Sequence, residues 1–328
     1  MSTSHSGALK SRASSKLHPK SQPSVTTEGL LPRPVLIALL LATNGFLLAA
    51  TLVLSRKAQA LGITPISFGF WMSVGAALLL ALYAGRHMRD LANRRMATFG
   101  SISGLTSLAI PQLIMFTVLS HIGAGLASLV YALPVLLTFL FARMLGLEGK
   151  NGFRMAGALV GTFGATLLLM PTEGGLPTSA LPWMALALLV PVILASGNIY
   201  RAVAWPVGAK PQVMAATTLG TSVIVFAVAG LAFGVDFDFT KVDGVWPFIA
   251  VQSFVSAGQF LAYFALQRVA PPVIFSLIGQ MTLLFGLPMG AAFLGETYTV
   301  MTFVAVGLMA LGLIGVVGGP VFKARLRK

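Results

Sequence analysis

Residues 111–149 read PQLIMFTVLSHIGAGLASLVYALPVLLTFLFARMLGLEG, and residues 258–297 read GQFLAYFALQRVAPPVIFSLIGQMTLLFGLPMGAAFLGET. With a shift of 147, Gln112 falls on Gln259, Phe116 on Tyr263, Leu119 on Leu266 and His121 on Arg268. One residue further on, Glu148 falls on Glu296. A glycine-rich apolar run follows each copy, GALVGTFGATLLLMP and VGLMALGLIGVVGGP. Ahead of them, Ala42-Thr43-Asn44-Gly45 resembles Ala195-Ser196-Gly197-Asn198, and Pro65 resembles Pro211. The chain therefore repeats itself, as a first unit over 34–171 and a second over 179–320.

The composition says what kind of unit this is. Of 328 residues, 56% are hydrophobic and only 9% charged, against roughly 25% charged in an ordinary soluble domain. Mean hydropathy is +0.89. A soluble fold of this size could not bury so much apolar surface. A helix crossing about 30 Å of hydrocarbon needs about 20 apolar residues. Ten windows meet that requirement: Val35–Leu54, Pro65–Tyr83, Ala97–Leu119, Leu126–Met144, Phe153–Met170, Leu181–Ile199, Val213–Phe233, Val245–Leu266, Val273–Leu294 and Val300–Val317. The expectation is an all-α membrane protein of ten transmembrane helices, five per repeat. Five is odd, so the second repeat enters the bilayer inverted.

The 22 basic residues set the orientation. With the N-terminus inside, 19 fall in cytoplasmic segments and three, Arg56, Lys57 and Lys241, outside. Such a bias marks both termini as cytoplasmic and accounts for the net charge of +14 without nucleic acid. Residues 1–33 form a basic cytoplasmic tail rich in Ser, Lys, Arg and Pro, with one acid, Glu28. Its composition is that of a disordered segment drawn to anionic lipid. An organelle transit peptide is the alternative reading, and a secretory signal is excluded by the length of the apolar stretch that follows. Residues 321–328 form a second basic cytoplasmic end.

Inverted repeats of this kind underlie alternating access, in which one half rocks against the other around a central site. Polar residues inside spans are costly and face a cavity or a neighbouring helix. Gln252, Ser256, Gln259 and Tyr263 lie at i, i+4, i+7 and i+11, on one helical stripe. The candidate substrate-binding residues are Gln112, Gln259, Asn44, Asn198, Gln280, Tyr131, Tyr263, Trp71, Gln252 and Ser256. Gln112 and Gln259 would be pseudo-symmetric partners. Glutamine donates and accepts, which suits a neutral or zwitterionic solute; bonding between helices is the competing use of such side chains. Pro111 can loosen the helix beside Gln112. Glu148 and Glu296 close the two copies and read as turn or gating residues. The glycines at 157, 161, 164, 307, 312 and 315 suit close helix contact, within the chain or across a homodimer.

This ordered set resembles the EamA-like branch of the drug/metabolite transporter superfamily. The resemblance rests on Leu133-Pro134 through Gly146-Leu147-Glu148, on Leu294-Gly295-Glu296, on the glycine-rich spans, on Gly197–Arg201 and on Ala265–Arg268. It implies ten helices in two five-helix repeats and the movement of small metabolites, amino acids or amphipathic compounds. Two departures stand out. Gln280-Met281-Thr282 occupies a place where the family often has Glu-Pro, and the second span lacks the family's arginine, with Trp71 and Ser73 nearby.

No enzyme signature is present. There is no cysteine, no His pair at metal-ligand spacing, no intramembrane Asp pair, no HExxH and no P-loop. No cofactor or metal is expected. The reading is a secondary transporter of a small organic metabolite, neutral, zwitterionic or amphipathic, by alternating access, in a bacterial inner membrane. A channel-like or scaffold protein is the alternative, and an intramembrane lipid-modifying enzyme a more distant one. The expected partners are a small-molecule substrate and membrane lipid, with a homodimer as a further option.

Overall fold

The computed structural model describes residues 32–85, 87, 93–147, 152–167 and 178–325. Apolar windows become helices, and prolines decide where many of them begin. Pro65, Pro134, Pro211 and Pro272 each open a helix, where a missing N–H leaves no bond unmade. In chain order the α-helices are α1 (Arg33–Ala60), α2 (Pro65–Ala84), α3 (Arg94–Gly104), α4 (Ile110–Val130), α5 (Pro134–Met144), α6 (Gly152–Leu167), α7 (Leu181–Ala187), α8 (Leu189–Ala204), α9 (Pro211–Ala232), α10 (Trp246–Val269), α11 (Pro272–Phe275), α12 (Ile278–Leu294) and α13 (Val300–Arg325). No strand occurs among the described residues.

Among the described residues seven helical stretches are long and apolar enough to cross a membrane, and Pro134–Met144 and Val300–Gly312 are shorter apolar helices. The protein is therefore an all-helical, multi-pass integral membrane protein. The third window and the start of the fourth run together as Arg94–Val130, 37 residues. A straight helix of that length would extend about 55 Å. This one is interrupted twice. Leu105–Ala109 forms a π-turn just ahead of Pro111, which has no N–H for the carbonyl of Ser107. Gly123 then takes φ 77° and ψ 165°, outside the helical region. The sixth window is likewise split at Leu188, before Pro191, and the ninth at Ser276-Leu277.

The helices pair in a definite pattern. α2 packs on α9, α6 on α13, α1 on α10 and α12, α10 on α2, α3 on α9, α4 on α12 and α5 on α8. The α6–α13 contact shows why glycine recurs there. A Cβ on Gly312 would lie 2.5 Å from Gly161 Cα, one on Gly315 2.8 Å from Gly157 Cα, and one on Gly164 2.8 Å from Ala305 O. The two glycine stripes thus meet within the chain, except at Gly307, which faces open space. Leu82, Ile224, Phe254 and Phe303 point outward, as side chains facing lipid do.

Several contacts tie helix ends together. Arg33 donates to Val269 O at 2.9 Å, and Lys210 Nζ lies 2.7 Å from His87 Nδ1. Elsewhere the His121 ring stacks on Trp183 with centroids 3.9 Å apart, and Lys57 sits over the Phe293 ring. Between α9 and α10, Asp236 pairs with Lys241 at 2.6 Å. The hydrogen bond from Lys241 is the main cause that holds the Asp236 carboxyl below its ordinary range. The basic tail through residue 31, Glu148, and the end of the fifth window lie outside the described residues.

Candidate substrate chamber

A small cavity of about 50 Å³, part of it open to the outside, lies where the two halves meet. Its wall takes Leu48 from α1, Ser107 from the π-turn, Gln112 from α4, Tyr131 from the turn after α4, and Pro134 from α5. The second half supplies Leu194 and Asn198 from α8, Gln259, Phe260 and Tyr263 from α10, Phe275 and Ser276, and Ile278 and Gly279 from α12. The wall is apolar with a few polar groups, the usual make-up of a small-molecule site. Gly279 admits the Tyr131 carbonyl so closely that no Cβ would fit. That close crossing brings α12 against the turn after α4.

Five of the ten candidate residues meet here: Gln112, Gln259, Asn198, Tyr131 and Tyr263. Gln112 Oε1, Gln259 Oε1 and the Tyr263 hydroxyl are buried with no hydrogen-bond partner. Buried polar atoms normally have one, so these three are available to a solute or to water.

The other five lie elsewhere and donate to protein, and Asn44 Oδ1 and Gln252 Oε1 are likewise buried without a partner. Gln252 Nε2 donates to Thr51 Oγ1 at 2.8 Å and to Ser256 Oγ at 2.9 Å, tying α10 to α1. Gln280 Nε2 donates to Ala132 O at 3.1 Å. Asn44 Nδ2 donates to Leu40 O of its own helix at 2.7 Å. Trp71 Nε1 donates to Phe237 O at 2.6 Å, anchoring the α9–α10 connection. Spacing alone puts Gln252 and Gln259 on one stripe, but α1 and α2 cover the Gln252 end.

The largest addition to the sequence reading is Arg201. The charge count assigns it to a cytoplasmic loop, whereas the structure buries it completely. Its Nε donates to Gln267 Oε1 at 3.0 Å, its Nη2 to Asn198 Oδ1 at 2.6 Å, and its Nη1 to Ser107 Oγ and, at 3.5 Å, to Thr106 Oγ1. The guanidinium also sits over the rings of Tyr263 at 5.4 Å and Phe275 at 5.9 Å, within cation–π range. All these partners are neutral, and no carboxylate pairs with Arg201 among the described residues. The sequence held a signal: the apolar run continues past Arg201 through Ala202-Val203-Ala204-Trp205, and Asn198 precedes it by one helical turn.

Glu296 has a specific partner set. Its Oε1 accepts from Ala124 N at 2.7 Å; its Oε2 accepts from Gly125 N at 2.9 Å and from the Tyr298 hydroxyl at 2.7 Å. The break at Gly123 frees those two N–H groups, and the carboxylate after α12 caps them. Glycines make the room: a Cβ at Gly125 would lie 2.6 Å from the Tyr298 hydroxyl, and one at Gly290 2.6 Å from Glu296 Oε2. Burial, then the Glu296 hydrogen bond, holds the Tyr298 phenol above its ordinary range. At the corresponding place in the second copy stand Pro271 and Pro272, which carry no N–H, so the cap has no equivalent there. No cluster of three or more His, Cys, Asp or Glu able to hold a metal occurs among the described residues.

These features define a multi-pass helical membrane protein with a small, largely apolar hollow between its halves that carries a few polar groups. Residues 35–170 match the EamA-like transporter family. A solved structure, titled only as the crystal structure of a protein, is similar with a TM-score of 0.64 at 19% identity, over 90% of this chain and 100% of that one. At that identity the likeness is one of fold. No curated protein matches the chain.

Proposed function

We propose that the protein is a secondary transporter of a small organic metabolite, working by alternating access of two inverted five-helix repeats. The observation that carries this reading is the chamber itself, with Gln112 and Gln259 from equivalent places in the two copies presenting unpartnered oxygens to one space.

The packing pattern supports the ten-crossing form of this reading. Let the break at Gly123 divide Arg94–Val130, and let α7–α8 and α11–α12 each count as one crossing. Exchanging the first five crossings for the second five then leaves the pairings unchanged. α2–α9 and α6–α13 map onto themselves, α1–α12 onto α5–α8, and α10–α2 onto α3–α9. A two-fold relation between repeats would produce this pattern, which supports the reading. The same topology puts Arg33 with Val269 and His87 with Lys210 on the side of the termini. It puts His121 with Trp183 and Ala124 with Glu296 on the other. The charge bias supports a cytoplasmic location for the termini; removing Arg201 from the loops leaves 18 basic residues inside against three outside. A bacterial inner membrane is the proposed location.

Counterflow in proteoliposomes tests the mechanism. Liposomes preloaded with the unlabelled solute accelerate uptake of the labelled solute if a carrier alternates. Flux that neither saturates nor responds to preloading would identify a channel and end this proposal.

A further inference from the structure

We infer that the chamber takes a small amphipathic organic anion, whose carboxylate is drawn to and held by Arg201. This inference rests on the transporter reading and narrows its substrate class.

The argument begins with the cost of a buried charge. An ionised group taken out of water needs a counter-charge or a full shell of hydrogen bonds. Arg201 is wholly buried, and its partners are two amide oxygens, two hydroxyls and two ring faces, all neutral. A guanidinium carries five N–H donors, and four oxygens take up four of them among the described residues. If the charge served only to fasten helices, a paired acid would be the ordinary arrangement. Here the positive field is left uncompensated.

That field opens onto the chamber. Four residues that touch the guanidinium, Ser107, Asn198, Tyr263 and Phe275, are also chamber wall. One layer of side chains therefore separates Arg201 from the cavity. Asn198 and Ser107 are short and polar, and either can turn from the guanidinium to let a carboxylate take its place. A carboxylate matches the planar fork of arginine in two parallel bonds. The Tyr263 hydroxyl, on the ring that lies against the guanidinium, is a further donor beside the same spot. Leu48, Leu194, Phe260 and Ile278 line the remainder, which calls for an apolar portion in the ligand. In a low-dielectric interior such a charge discriminates strongly between an anion and its uncharged isostere.

The test uses the full chain in lipid nanodiscs at neutral pH and matched pairs of probes: butyrate, hexanoate, octanoate and 3-phenylpropionate, each with its amide and the corresponding alkylamine. Binding is read from the concentration dependence of the melting temperature. At least one acid is expected to bind at least about tenfold tighter than its amide, with no shift from the amines. Arg201→Lys should keep the preference for acid over amide at lower affinity, and Arg201→Gln should abolish it. If Arg201→Gln does not fold, the wild-type series and Arg201→Lys decide the matter. Amides binding as well as acids would overturn the anion inference. If Gln112→Leu with Gln259→Leu then removed both, the chamber and transporter reading would stand. Failure of acids, amides and amines alike to bind the wild type would overturn the inference, whereas the transporter reading would still be decided by counterflow.

Discussion

Replacing Glu296 by glutamine should loosen the junction between the halves at one identifiable atom. In the wild type, Oε1 holds the Ala124 N–H, while Oε2 holds the Gly125 N–H and the Tyr298 hydroxyl. Glutamine offers one oxygen. Placed at the Oε2 position it keeps two partners, and its NH2 then faces the Ala124 N–H, donor against donor. A hydrogen bond to a charged group contributes about 1.5–3 kcal/mol, and a stranded N–H is costly. Glu296→Gln should therefore lower local stability by about that amount, and Glu296→Ala, which strands both N–H groups, by about 3–6 kcal/mol. Each 1.4 kcal/mol is a factor of ten, so amide exchange at Ala124 should quicken about ten- to hundredfold in Glu296→Gln. Gly125 should change less. Hydrogen–deuterium exchange on the reconstituted protein, resolved to these residues, is the assay. Unchanged protection of Ala124 in Glu296→Gln would refute the capping argument, because no other acceptor would have been needed.

Three further outcomes follow from particular contacts. The Tyr298 phenol is raised in the folded state by burial and by Glu296. Its stabilising contribution is thus complete below the unfolded value near 10 and is lost as pH rises beyond it; melting curves should show an alkaline loss in the wild type that is smaller in Tyr298→Phe. Gly312→Val would drive a branched side chain into Gly161 and Gly157, so it should separate α6 from α13 and lower the melting temperature, whereas Gly307→Val, which faces open space, should not. Gln252→Leu removes the bonds to Thr51 and Ser256 and should cost about 1 kcal/mol of stability with transport retained; Gln112→Leu should show the reverse pattern, loss of counterflow with little loss of stability.

The membrane class and the helical content were legible in the sequence because hydrocarbon imposes them locally. A span must be about 20 apolar residues long and satisfy its own backbone, and each of these conditions can be read along a single segment. The prolines at 65, 134, 211 and 272 mark helix starts for an equally local reason. Periodicity also placed Gln252, Ser256, Gln259 and Tyr263 on one stripe. It could not say what that stripe meets. Only the tertiary packing set Gln259 and Tyr263 against the chamber and Gln252 against Thr51. It also gave Glu296 its partners more than 170 residues away and took Arg201 from an expected loop into a neutral shell built by four other side chains. Spacing along a helix fixes which way a residue points, whereas the neighbour it finds depends on segments far off in the chain. The burial of a charge belongs to that second kind of fact.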